Sequence, residues 1–383
     1  MIVPTSIVSV SLLALAACGQ GSKSPSKSGA AADGIQGSAS AGGAVAAKQR
    51  GIANAANAPE LTALLDEVRK CWDTDTSDAA CPPIAKVVEL AAADATRAPM
   101  LYDTLVNWIE EPSDWHIRQF AAFMLNGRIT LEGARTNSAV LGRILTALKN
   151  EPAATQPRQA AQTAMQLAQL AVGYANAGAG HEATLVALVN DKTYAHPSAR
   201  VEFIKLLDPK VGDGRIPMLL AIATDAHDDE LVRDSAIGAL GHVSEGDKAK
   251  VTEALTLIVQ SDPSEKMARS SIQALAWSAG SAAIPVIMET VEKRATNGIA
   301  HSAAVALVQL ASRTAQGGVD AKPIVEAALK IVNNESAGRE ARVYALRALK
   351  WANDSGFKPT ADRLLRGRDA LLATLVQQML AEK

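Results

Sequence analysis

One short pattern recurs along most of this chain and limits the folds that the chain can adopt. An arginine is followed after three residues by an apolar side chain and after seven residues by another. Positions i, i+3 and i+7 share one face of an α-helix, so each copy predicts a helix with the same buried face. Weaker copies without the arginine lie near residues 159–161 and at Ala303. The clear copies begin at Arg118, Arg200, Arg233, Arg269 and Arg342.

The spacing of these copies predicts the architecture. About 37 residues separate successive copies, which is typical of helical solenoids. A second apolar helical face lies between copies, for example at Val251, Leu255 and Ile258, with turn signals such as Gly246 on its flanks. Only 3% of the residues are aromatic and about one in five is alanine, which suits closely approaching helices rather than sheets. The sequence therefore predicts an all-α fold, an α-solenoid of about seven to eight helix pairs.

One copy also carries a family resemblance. The segment DDELVRDSAIGALG, which begins at Asp228, contains an acidic turn, a Val-Arg pair and an Ala-x-x-Ala-Leu-Gly run. It resembles the short bacterial type of HEAT repeat, and the resemblance covers roughly residues 83–383. The resemblance implies a fold and hardly any function. In that family the aligned arginine tends to pair with turn acids of neighbouring repeats, which implies a structural pairing of Arg233 with Asp228 or Asp229.

The start of the chain is typical of an export signal. Residues 2–17 carry no charged side chain, and the stretch is shorter than the roughly 20 residues that span a bilayer. The run from Leu15 to Cys18, LAAC, resembles the lipobox of bacterial lipoproteins, which implies that Cys18 is acylated and becomes the mature N-terminus. An ordinary secretory signal cleaved near Ala17 is the alternative. Gly19, in place of an aspartate, favours the outer over the inner membrane.

The composition then divides the chain into three parts. Residues 1–17 form the predicted signal peptide, and residues 18–58 are a tether rich in Gly, Ser and Ala that cannot offset the entropy of ordering. Residues 59–383 form the predicted repeat domain, with an N-terminal cap over 59–110, repeats over 111–352 and a C-terminal cap over 353–383. The apolar positions after Gly367 predict a capping helix; a basic amphipathic helix that binds a partner or a membrane is the alternative.

The remaining cysteines form an even pair once Cys18 is acylated. In an oxidising compartment Cys71 and Cys81 predict a disulfide, which contributes about 2.5–3 kcal/mol in the chain-entropy model. A thioredoxin-like redox site would have two intervening residues, and here there are nine. The acids at positions 73, 75 and 78 lack the glycine and glutamate of a calcium loop, so they indicate a solvated loop.

Sequence motifs that would indicate catalysis or metal binding are weak in the rest of the chain. Residues 225–230 gather four acids and His227, which would suit a metal, but an N-cap and turn before the next helix is the simpler interpretation. HExxH, Gly-x-Ser-x-Gly and Walker-type motifs are absent from the sequence. We therefore predict no catalytic, cofactor-binding or metal residues and no enzyme. The 38 basic and 40 acidic residues create no field that would attract nucleic acid.

Four of the tryptophans can be interpreted from position. Trp277 and Trp351 end equivalent helices, so we predict that they pack between repeats. Trp108 and Trp115 flank the Glu110-Glu111 turn, where packing is again preferred to an exposed contact for a partner.

Together these features predict a lipid-anchored scaffold or adaptor of the bacterial cell envelope. Its folded part would stand in the periplasm or at the cell surface, as a monomer, and bind an unidentified protein partner through a solenoid surface. One alternative is a metal-binding or ligand-binding repeat protein, or a lyase-like enzyme, that uses a groove between repeats. Another is a structural envelope spacer.

Overall fold

The computed structural model describes ten stretches of the chain, all within one compact unit, residues 44–383. They are residues 59–71, 81–93, 97–111, 115–128, 134–150, 157–194, 196–207, 215–293, 298–315 and 317–381. Over these stretches the chain is built from α-helices joined by short turns, with no strand. The predicted signal peptide, the tether and the acidic loop at 72–78 lie outside the described residues, as does Cys18.

The helices alternate between two layers. Odd-numbered helices form layer A: α1 (Pro59–Cys71), α3 (Arg97–Ile109), α5 (Ser138–Lys149), α7 (Glu182–Asn190), α9 (Ile216–Thr224), α11 (Lys248–Ser261), α13 (Ile284–Lys293), α15 (Ala321–Asn333) and α17 (Phe357–Leu365). Even-numbered helices form layer B: α2 (Pro83–Ala93), α4 (Trp115–Phe123), α6 (Pro157–Asn176), α8 (Pro197–Leu207), α10 (Glu230–Leu240), α12 (Glu265–Ser278), α14 (Gly298–Thr314), α16 (Arg339–Trp351) and α18 (Ala370–Ala381).

Each A helix packs against the B helix that follows it, and from α4 onward each B helix packs against the next B helix. The helix α2 packs against α1 and α3. This arrangement is an all-α solenoid, so the predicted fold class is confirmed. From α3 to α18 it contains eight helix pairs, and α1 with α2 adds one more among the described residues. The helix α3 packs on α4, on the two sides of residue 110, and α17 and α18 form one further pair after residue 352.

Local sequence explains where many helices begin. Proline is the first residue of α1, α2, α6 and α8, where its missing N–H has no intrahelical acceptor to lose. Asn137 caps α5 by accepting bonds from the backbone N–H groups of Ala139 and Val140, at 3.0 and 3.2 Å. Asp229 and Asp320 cap α10 and α15 in the same way.

The buried faces are those that the repeated pattern predicts. The side chain three residues after each arginine is fully buried, and so are most of those seven residues after it. Many of these positions are alanine, which lets neighbouring B helices approach closely. The A helices of successive repeats contact each other less, so open grooves remain between them. The buried residues at the first of these positions are Ala121, Phe203, Ala236, Ile272 and Ala345.

Candidate functional site

The recurrent arginines join helices to each other inside the solenoid. Arg118, Arg200 and Arg233 are almost completely buried, with exposures of 1 to 2%. The Nε atom of Arg200 donates to the carbonyl oxygen of Val189 at 2.8 Å, at the end of the preceding A helix. Arg118, Arg233 and Arg342 make the same contact with the carbonyls of Ile109, Ala223 and Val332. A buried guanidinium thus satisfies carbonyl groups that the helix end leaves without a partner.

Two of these arginines also bind an aspartate of the following repeat. Arg200 forms a bidentate ion pair with Asp228, at 2.7 and 2.8 Å, and Arg233 pairs with Asp262. The expected pairing of Arg233 with Asp228 or Asp229 is therefore wrong. The side chain of each arginine lies at the contact with the next repeat, so the turn acid that it reaches is the one that comes after it. Arg269 is exposed and pairs with Glu265 on its own helix instead.

The acidic turn at residues 225–230 directs its carboxylates to different partners. Asp225 accepts a hydrogen bond from Lys192, Asp228 pairs with Arg200, and Asp229 caps α10 through the N–H of Leu231. The fourth acid, Glu230, accepts a bond from the Ser264 hydroxyl at 2.7 Å. Within the described stretches no group of three or more His, Cys, Asp or Glu side chains converges on a common point. The turn is a structural connection between repeats.

The pKa values of two acids in this turn agree with a structural role. Burial by itself raises the pKa of Asp228, but the hydrogen bonds from Arg200 and from the N–H of Asp229 more than offset it and lower that pKa. The hydrogen bond from Lys192 lowers the pKa of Asp225. Both groups are therefore held as carboxylates, which suits ion pairing and not general acid catalysis near neutral pH.

Two of the tryptophans that were predicted to pack between repeats are instead exposed to solvent. Trp277 and Trp351 are 45% and 55% exposed, so the expectation that they pack between repeats is wrong. Both lie at the C-terminal ends of their helices, where the chain turns away and each ring stays partly open to solvent. Trp108 packs against the core and lies 6.2 Å from the ring of Phe120. The neighbouring Glu110 forms a bidentate pair with Arg143.

Near the two exposed tryptophans, aromatic and basic side chains lie on three successive B helices, and we call this group the aromatic face: Trp277, Arg313, Tyr344, Arg347 and Trp351. The Arg313 guanidinium lies 5.4 Å from the centre of the Trp277 ring and donates to the carbonyl of Ala276 at 2.9 Å. The Arg347 guanidinium lies 5.0 Å from the centre of the Tyr344 ring. Trp351 follows Arg347 by four residues and Tyr344 by seven, so the three share one face of α16.

Two histidines contact aromatic rings of this group. The ring of His242, just after α10, lies 6.2 Å from the ring of Trp277. On α14, His301 meets Tyr344 edge to face at 4.6 Å, and its Nδ1 lies 3.2 Å from a carboxylate oxygen of Glu340. The His301 contacts join the first turn of α14 to α16, whereas the Arg313 contacts join the last turn of α14 to α12, so the two sets lie at opposite ends of α14. The sequence signal that could have found this surface is the alignment of aromatic and basic residues near the ends of successive B helices.

Two grooves open in the other layer. A groove of about 490 Å³ separates α13 from α15 and is lined by apolar side chains such as Met288 and Leu329 beside Glu292 and Lys330. A smaller groove of about 310 Å³ lies between α11 and α13. Both follow from the wider spacing of the A helices, and neither contains a buried titratable group that would suggest catalysis.

The cysteine pair lies at the N-terminal end of the array. Cys71, the last residue of α1, is joined to Cys81, just before α2, with Cα atoms 5.3 Å apart. Cys81 is fully buried, so the link holds the first two helices together.

No helix in the described stretches combines the length and apolar character that crossing a bilayer requires.

The fold and its surface thus define a helical-repeat protein with an exposed aromatic face on layer B. No protein-family profile matches the chain. No curated protein matches it either. Among solved structures, human deoxyhypusine hydroxylase in complex with glycerol is 14% identical and covers 75% of this chain and 96% of its own, with a TM-score of 0.30.

Proposed function

We propose that this protein is a lipid-anchored scaffold or adaptor of the bacterial cell envelope, built from HEAT-like repeats, that binds a protein partner through its solenoid surface. The observation that carries the proposal is the exposure of Trp277 and Trp351 on helices whose other large aliphatic side chains are buried. Tryptophan and arginine are enriched among the residues that dominate protein interfaces. An exposed indole held beside a guanidinium is therefore suited to partner recognition.

The membrane part of the proposal rests on the sequence. Acyl chains on Cys18 contribute about 0.8 kcal/mol for each buried CH₂ group, so two or three chains anchor the protein stably. We expect Cys18→Ser to move the protein from the membrane fraction to the soluble fraction of the envelope. Equal membrane retention of this variant, in cells that incorporate labelled palmitate, would exclude the lipid anchor.

Partner binding can be tested by cross-linking at defined surface positions in cells that make the protein. A benzophenone amino acid would replace Gln162 on α6, Gln273 on α12 or Leu257 on α11, which lie on both layers. We expect a discrete protein adduct from at least one position and none from the others. A protein that forms no adduct from any position behaves as the structural spacer, and the scaffold proposal would then be rejected.

A second experiment distinguishes the scaffold from the alternative that the protein binds a metal or a small ligand. Each acid of the 225–230 turn already has a protein partner, which argues against a metal there. Metal analysis of the purified protein should find less than one equivalent of any transition metal or calcium. A stoichiometric metal that is lost in Asp225→Ala would favour the alternative.

A further inference from the structure

We infer that the larger groove of layer A, between α13 and α15, binds a short apolar peptide of about three residues with free amino and carboxyl ends. The inference goes beyond the scaffold function, because it adds a site for a small molecule. Three observations carry it: the apolar floor of the groove, an acid and a base on its two walls, and two oriented side-chain amides beside the base.

The groove has the size and the lining of a small-molecule site. Its volume of about 490 Å³ lies within the range of about 300–1,000 Å³ that is common for such sites. Met288 and Val291 on α13 and Leu329 on α15 line it and belong to the apolar packing of the solenoid. These side chains would cover the apolar side chains of a ligand, and removal of apolar surface from water stabilises the complex.

One acid and one base line the groove from opposite helices. Glu292 belongs to the last turn of α13 and Lys330 to the last turn of α15, and neither forms an ion pair within the described stretches. They are thus too far apart to pair with each other. Packed helices lie about 8–10 Å apart and an extended chain rises about 3.3 Å per residue, so about three residues cross the groove. A tripeptide would place its ammonium at Glu292 and its carboxylate at Lys330.

Two side-chain amides beside Lys330 supply further donors for that carboxylate. Asn333 and Asn334 both line the groove. The Oδ1 atom of Asn333 accepts a hydrogen bond from Arg363, and the Oδ1 atom of Asn334 accepts one from the N–H of Ser336 at 2.9 Å. These bonds fix which amide atom is free, so each Nδ2 group is left to donate to a ligand. The α15 wall therefore offers donors and the α13 wall an acceptor.

The other charges near the groove leave these two walls available. On α13, Glu289 pairs with Lys293, and both line the smaller groove. At the end of α15, Arg342 donates to the carbonyl of Val332 at 2.9 Å, which offsets the partial negative charge that a helix end presents to a carboxylate. Three nearby acids do not line the groove: Glu326, Glu335 and Asp354.

Those three acids weaken the attraction of Lys330 for a carboxylate, so the inference depends on direct contacts and not on the net charge of the region. Direct contacts also favour a free peptide over an internal segment of a protein. An internal segment has no terminal ammonium or carboxylate, and it would leave Glu292 and Lys330 without counter-charges unless its own side chains supplied both at the correct spacing. A free tripeptide always carries both charges.

The test measures the binding of trileucine to the purified protein by isothermal titration calorimetry. We expect saturable binding. N-acetyl-trileucine lacks the ammonium and trileucine amide lacks the carboxylate, and each should bind about three-fold to ten-fold more weakly. Trileucine should show a similar loss with Glu292→Gln and with Lys330→Gln. Glu289→Gln, on the same helix but in the smaller groove, is the matched control and should leave the affinity unchanged.

Modified peptides tested against the variants identify the individual contacts. Acetylation should cause no further loss in Glu292→Gln, and amidation none in Lys330→Gln, whereas each modification should keep its full effect in the other variant. A substitution that only disturbed the fold would weaken all three peptides alike. Circular dichroism of each variant checks that the helices are retained.

Several results would overturn the inference. They are an absence of saturable trileucine binding up to about 10 mM, equal affinity for the three peptides, or an equal loss of affinity in Glu289→Gln. These outcomes are distinct from those of the cross-linking experiment, because a protein adduct is expected there whether or not the groove binds trileucine.

Discussion

At the scale of single residues, the most informative side chains are charged groups that lie inside the protein. Arg200 and Asp228 form an ion pair whose side chains are only 2% and 1% exposed. Such a pair adds little net stability compared with apolar residues of the same size, but removal of one partner leaves a buried charge without compensation. The pair also joins α8 to the turn before α10, because Asp228 accepts both hydrogen bonds from the Arg200 guanidinium.

The first prediction concerns this pair. Asp228→Asn should lower the free energy of unfolding by about 3–5 kcal/mol, since the guanidinium of Arg200 loses its counter-ion in a buried site. Urea denaturation followed by circular dichroism measures the change. Asp225→Asn is the matched control in the same turn; it removes an exposed pair with Lys192 and should cost much less. Equal losses in the two variants would contradict the buried-pair argument.

The pH dependence of stability follows from the same carboxylate. The pKa of Asp228 is lower in the folded protein than in the unfolded chain, so its ionised form stabilises the fold at pH values above the unfolded pKa of about 3.9. This contribution is lost as the pH falls through the folded pKa. Unfolding midpoints in urea should decrease below pH 4, and the decrease should be smaller in Asp228→Asn. An identical pH profile for both proteins would show that Asp228 has an unshifted pKa.

At the scale of helices, periodicity alone allowed most elements to be predicted, because the buried faces follow the i, i+3, i+7 pattern closely. Even the two copies without an arginine form B helices, α6 and α14. Sequence reasoning failed where a residue ends its helix. Trp277 and Trp351 lie eight and nine residues after Arg269 and Arg342, near the ends of their helices, and their exposure depends on where the following turn directs the chain.

The third prediction concerns the residue that caps the N-terminus of α5. Asn137→Ala should lower stability by about 1 kcal/mol, because the N–H groups of Ala139 and Val140 lose their acceptor. Thermal unfolding measures the shift. Asp247 precedes α11 without making a capping bond through its side chain, so Asp247→Ala is the control. A larger loss in Asp247→Ala than in Asn137→Ala would contradict this account of the caps.

At the scale of the whole molecule, stability is distributed along the array. Each helix pair contacts chiefly its neighbours, and the buried residues form a long row rather than a single centre. Solenoids of this kind behave as chains of nearest-neighbour units, so a local weakness need not unfold the remainder. The high alanine content is a consequence, since every B helix must fit closely between two others.

The fourth prediction tests this independence. Reduction of the link between Cys71 and Cys81 should remove about 2.5–3 kcal/mol from the N-terminal pair in the chain-entropy model. Hydrogen exchange measured by mass spectrometry should then increase in residues 59–93 and stay unchanged from α9 to α16. The Cys71→Ser, Cys81→Ser double variant should behave as the reduced protein does. Faster exchange along the entire array would contradict the nearest-neighbour description.

The sequence by itself determined the class of fold, the two helices in each unit and the face that each helix buries. Those properties depend on local periodicity, on proline and capping residues, and on small side chains that are visible in the sequence. Only the tertiary structure decided that Arg233 binds Asp262 and that Asp228 belongs to Arg200, because these contacts join residues about 30 positions apart. It also decided that Trp277 and Trp351 are exposed and that Arg313 lies over the Trp277 ring. The physical reason is that exposure and pairing depend on how neighbouring repeats are placed, and a degenerate repeat pattern does not encode that placement residue by residue.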